Sequence, residues 1–111
     1  MPHPIDYTCS YSTTATLAAA TATDVDSPID GASDWSIVVK NTGSTNAVTA
    51  ITIAISHATL FEAAASITAG IPLAAGATLS AIRGENEPCK TARLTLTSTS
   101  GTTVSIEAGG R

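Results

Sequence analysis

The chain has 111 residues, of which 13% are charged and 4% aromatic, with a formal net charge of −4. That length suits one domain able to bury its own core, and the charged fraction is about half of the ~25% usual for soluble domains. Five basic residues (Lys40, Arg83, Lys90, Arg93 and Arg111) form no tract, which argues against nucleic-acid binding, and no run approaches the ~20 apolar residues that span a membrane.

Ala, Thr, Ser and Ile fill the gap left by charge. Thr and Ile favour pleated, half-buried surfaces, so the core is expected to be built from small aliphatic side chains. A surface of Ser, Thr and Ala suits a subunit packed against neighbours. The opening residues, MPHPIDYTCSYS, lack a basic start followed by an apolar run, which predicts a protein made in a cytoplasm without an export signal. Cys9 and Cys89 lie too far apart for a metal knuckle. A reducing compartment predicts two free, buried thiols; a bridge between them would close a loop worth ~4 kcal/mol in the chain-entropy account.

Pro2 and Pro4 bar a helix and favour an extended arm. Ile5, Tyr7, Cys9 and Tyr11 alternate with polar residues, predicting a first strand within an N-terminal unit of residues 1–13. The arm itself, Pro2, His3, Pro4 and Ile5, is a candidate partner contact. Residues 14–108 read as the sandwich body. Within it, Thr14 to Thr23 reads as a second strand, because its interleaved Thr outweighs the Ala run. Asp24 to Ser33 reads as loop, punctuated by Pro28 and Gly31.

Ser33 to Ser56 carries the only Trp and the densest run of β-branched residues. Trp35, Ile37 and Val39 share one face of a strand. Asn41 to Asn46 is turn chemistry. The next strand, Ala47 to Ser56, sets Ile51, Ile53 and Ile55 on one face. Val48 has the opposite parity, which a bulge near Thr49 and Ala50 would reconcile. Together these strands read as a β-hairpin with a long loop. His57 to Ile67 is the one helix candidate, with Leu60, Ala64 and Ile67 at helical spacing; a short strand carrying Phe61 is the alternative. Strands follow at Ala77–Arg83, around Leu79, at Ala92–Thr97 and at Thr102–Glu107, with Gly84–Pro88 as a charged loop. Residues 109–111 read as a flexible tail. Seven or eight strands with turns about every ten residues are the signature of a sandwich or barrel.

Candidate chemistry is sparse. Asp24, Asp26 and Asp30, with Asp34, could offer carboxylate oxygens to a hard cation. Their spacing is not that of the twelve-residue Ca²⁺ loop and no Glu closes it, so they read as a solvated acidic loop and a candidate contact surface. Glu85, Asn86 and Glu87 read likewise as an exposed loop tip. His3 and His57 lack partners at zinc spacing. There is no nucleophile elbow, P-loop or dinucleotide fingerprint, and a Cys–His nucleophile pairing rests on residue types alone. The sequence therefore predicts no cofactor and no enzyme. Trp35 could stack on a sugar, but its alternation with Ile37 and Val39 places it in the core.

VVKNTGSTNAVTAITIAI at Val38 to Ile55 and SITAGIPLAAGATLSAIR at Ser66 to Arg83 share a layout. A strand ends in N-T-G, a second returns, and an L-x-x-G turn enters another. This resembles small β-sandwich virion proteins of tailed bacteriophages, including capsid decoration (cement) subunits, and also bacterial adhesion-type immunoglobulin-like modules. The self-sufficient length, the missing export signal and the charge-poor surface favour the phage side. The resemblance implies an all-β, single immunoglobulin-like sandwich of seven to eight antiparallel strands. It further implies a virion location and binding to the outer face of a major capsid protein as a homo-oligomer, for example a trimer, at a symmetry axis. It implies no catalytic residues. A receptor- or carbohydrate-binding module and a tail or head–tail connector subunit are the alternatives.

Overall fold

The computed structural model describes residues 9–111, with Cys9 described by its backbone alone. Eight strands follow one another: β1 (Cys9–Leu17), β2 (Thr23–Ala32), β3 (Trp35–Asn41), β4 (Ala50–Ser56), β5 (Ala65–Ile67), β6 (Thr78–Gly84), β7 (Cys89–Thr97) and β8 (Thr102–Gly110). They form two four-stranded sheets, ordered β1-β8-β3-β6 and β2-β7-β4-β5, and every pairing is antiparallel. The expected all-β sandwich is present. Its strand order, however, is that of a jelly roll, two interleaved Greek keys. In an immunoglobulin sandwich the first two strands neighbour each other in one sheet, whereas here β1 and β2 lie in opposite sheets.

The core is built as the alternation predicts. Trp35, Ile37 and Val39 of β3, Leu94 and Leu96 of β7, and Val104 and Ile106 of β8 are buried. The largest fully buried side chains are aliphatic, apart from Asn41 and Cys89. Each such Leu, Ile or Val contributes about 1.5–3 kcal/mol by leaving water. In β4, Ile51 and Ile55 are buried and Ile53 packs against the core. The change of parity at Val48 falls outside the strand: Val48 leaves the β4–β7 ladder and exchanges both backbone hydrogen bonds with Leu73, each 2.9 Å.

Several expectations are corrected. β1 runs unbroken to Leu17, so no separate strand occupies Thr14 to Thr23. The predicted loop Asp24–Ser33 is instead strand β2. Pro28 is tolerated because β2 is an edge strand, where a missing N–H need not break a ladder. The composition that suggested a loop is accommodated by a register shift between Pro28 and Ala32, with Asp30 and Gly31 at positive φ. β3 and β4 do not form a hairpin: they belong to different sheets, and the Asn41–Asn46 turn carries the chain across the sandwich. His57–Ile67 is not a helix. Ser56 bridges Phe61, and β5 follows, paired with β4. Residues 109–111 are no loose tail, since β8 extends to Gly110 and the Arg111 N–H donates to Asp34 O at 2.8 Å.

Candidate interaction surface

The N-T-G motif is a structural node. Asn41 is fully buried and uses its whole amide. Its Nδ2 donates to Asn46 O at 2.8 Å and to Leu73 O at 3.0 Å. Its Oδ1 accepts from the Gly43 N–H at 3.1 Å and from Thr102 Oγ1 at 2.8 Å. One side chain thus ties the end of β3 to the crossover loop, the strand entry near Leu73 and the start of β8. Gly43 is required there, because a Cβ would collide with Thr102 Oγ1. Asn46 Nδ2 extends the node to Gly101 O at 2.7 Å.

The predicted acidic site does not assemble. Asp24 and Asp26 point outward from β2 and are engaged by neighbours on β7. Thr95 Oγ1 donates to Asp24 Oδ1 at 2.7 Å, and Arg93 Nε and Nη2 donate to the two Asp26 oxygens at 2.8 and 3.1 Å. That hydrogen bond with Asp26 holds the Arg93 guanidinium above its ordinary pKa. The guanidinium also lies 4.0 Å from the centroid of the Phe61 ring, a cation–π contact. Asp30 sits apart at the β2 register shift. Asp34 Oδ1 accepts from the Asn86 N–H at 3.0 Å. Among the described residues, no group of three or more His, Cys, Asp or Glu side chains is placed to hold a metal.

The Glu85–Glu87 loop is exposed, as predicted, and is clasped to the β2–β3 corner through its backbone. The Glu87 N–H donates to Ser33 O, and Trp35 Nε1–H donates to Glu87 O, both at 2.9 Å. Trp35 is buried in the core and offers no stacking platform. The arm Pro2, His3, Pro4 and Ile5 lies outside the described residues.

Two surface features escape sequence reading. The first is the loop His57–Glu62, which projects Leu60 into solvent at 84% exposure, the one large exposed hydrophobic side chain among the described residues. The loop is braced from within. His57 Nε2 and Glu62 Oε2 are 2.6 Å apart, the Glu62 N–H donates to Ile55 O at 2.8 Å, and Ser56 Oγ donates to Ala58 O at 3.0 Å. Read as helix, the same residues assign Leu60 to the core. The break of the strand alternation at Ser56-His57 is the signal that points to a loop. The second feature is the outer face of the β1-β8-β3-β6 sheet. Ser10, Tyr11, Ser12, Ser36, Val38 and Glu107 border a shallow recess of about 340 Å³ there, and all but Glu107 are uncharged. Among the described residues, no helix is long and apolar enough to cross a membrane.

No family model and no curated protein matches the chain. Among solved structures, the chain is similar to one in "Structure of infectious bursal disease virus Gx strain". The TM-score is 0.46 at 13% identity over 91% of this chain, which spans 30% of that one.

Proposed function

We propose that this protein is a non-enzymatic virion structural subunit, of the capsid decoration type, that seats on the outer face of a tailed-phage major capsid protein. The observation that carries this reading is the braced loop that exposes Leu60 on an otherwise small, polar and charge-poor surface. A loop braced by these hydrogen bonds and presenting one large apolar side chain is suited to anchoring in a recess of a partner, where removing a Leu side chain from water contributes about 1.5–3 kcal/mol. The jelly roll recurs in viral capsid and lectin domains, which agrees with the reading by analogy of fold. The sugar-binding alternative draws no support from Trp35, which is buried and hydrogen-bonded.

The test is to mix the purified protein with bare expanded phage capsids and to measure bound subunits per capsomer. Stoichiometric binding is expected. The Leu60→Ser variant should bind at least tenfold more weakly while keeping its circular dichroism spectrum. Failure of the unaltered protein to decorate any capsid, with measurable binding to glycans, would overturn the reading.

A further inference from the structure

A two-sheet sandwich has four edge strands, and each edge is a row of unpaired backbone groups that can recruit another strand unless something blunts it. Among the described residues, the edges are β1 and β6 in one sheet and β2 and β5 in the other. Three of them carry protection. β6 is bulged, because Ile37 and Val39 pair with Ile82 and Leu79 so that β6 holds an extra residue, and it also bears Arg83. β2 contains Asp24, Asp26 and Pro28, and its register shifts before Ala32. β5 is three residues long.

β1 has none of these devices. Its nine residues, CSYSTTATL, include no charged residue, no Pro and no Gly. They pair with β8 residue for residue, from Cys9 opposite Gly110 to Leu17 opposite Thr102, without a shift. Its outward side chains, Ser10, Ser12, Thr14 and Thr16, are exposed and all bear hydroxyls. Cross-strand Ser and Thr pairs of this kind stabilise sheets.

We propose that the outer edge of β1 is a self-association surface, on which a second copy of this chain adds its own β1 in antiparallel orientation. A twofold axis at Thr13 uses all nine residues: Cys9 then opposes Leu17 of the partner subunit, and Ser12 opposes Thr14 of the partner subunit. The occupant is a second copy because the strand is self-complementary. With no charge on it, two copies meet without the like-charge penalty that a Lys, Asp or Glu would impose. The result is a continuous eight-stranded sheet. Because the other three edges are blunted, assembly stops at the closed dimer. A single strand pair buries little surface compared with a standard interface, so the dimer is weak in dilute solution and gains from the high local concentration of an array. The inference stands whether or not the protein decorates capsids.

Sedimentation velocity of the full chain between about 1 µM and 1 mM tests it. A shift from monomer to dimer is expected. The Ser12→Lys, Thr14→Lys double variant places like charges directly opposite each other in the dimer, so its dissociation constant should rise at least tenfold. Ser80→Lys on β6 should leave the dimer unchanged. Hydrogen exchange on the unaltered chain provides a readout that no substitution can compromise: β1 amides should become more protected as concentration rises. A monomer at every concentration, open-ended oligomers, a dimer that survives both lysines, or β1 exchange independent of concentration would each overturn the proposal.

Discussion

Two buried polar residues, Asn41 and Ser27, show how the same burial can have opposite consequences. Asn41 has every amide capacity filled. Ser27 Oγ is buried on β2 with no hydrogen-bond partner among the described residues. A satisfied buried amide adds to stability, while an unpaired buried hydroxyl carries a desolvation cost with nothing returned. The isosteric change Asn41→Asp keeps the volume but turns Nδ2 into an acceptor facing two carbonyls. It should destabilise the fold by about 3 kcal/mol or more. Ser27→Ala should stabilise it by about 1 kcal/mol. Urea unfolding midpoints measure both, and a stability loss in Ser27→Ala would mean that the hydroxyl has a partner after all. The sequence displays Asn41 only as part of turn chemistry. Nothing local reveals that it is buried, because its partners Leu73 and Thr102 are brought to it by strands distant in the chain.

At the scale of elements, the strands that read clearly are those with one buried face and an uninterrupted alternation: β3, β7 and β8. β2 was illegible because its breaker residues sit on an edge, where Pro and a positive-φ pair cost little. Strand pairing was illegible for a different reason. The segments around the Asn41–Asn46 turn each have an apolar face, and a local pattern cannot say whether the second returns beside the first or crosses to the opposite sheet. That choice is made by β6 and β8, which flank β3 on both sides and leave β4 no place there. The Leu60 loop was hidden because an Ala-rich stretch fits helical spacing and a loop equally well. Position within the sheets also sets local stability. β3, β7, β8 and β4 each have neighbours on both sides, whereas β5 is a three-residue edge. Native-state hydrogen exchange should therefore protect amides of β3, β7 and β8 up to the global unfolding free energy. β5 should open at least 100-fold more readily, since edge segments with few buried contacts exchange by local opening. Equal protection of β5 and β7 would contradict this ordering.

For the whole molecule, the jelly-roll order makes the first strand pair with the last and the second with the seventh. The first of these pairings closes a loop of most of the chain's length and the second one of more than half of it, and such closure must occur before the contacts stabilise anything. The fold is therefore expected to refold on the slow side for its size. The same topology places the two ends of the described chain side by side, with Cys9 opposite Gly110. A circular permutant that joins Arg111 to Met1 by a short flexible linker and opens between Thr59 and Leu60 turns the β1–β8 pairing into a local hairpin. It also shortens the separations of β2 from β7 and of β3 from β8, at the cost of lengthening those of β3 from β6 and of β4 from β7 and of making the small β4–β5 contact distant. Reducing one closure about tenfold in length saves about 2 kcal/mol of loop entropy, of which the transition state realises a part. Stopped-flow refolding monitored by Trp35 should accelerate several-fold, with the unfolding rate changed less than the folding rate. If the permutant folds no faster, the slow step lies elsewhere than in bringing the first and last strands together, and the β3–β6 and β4–β7 pairings, which the permutation does not shorten, would then be where the barrier is set.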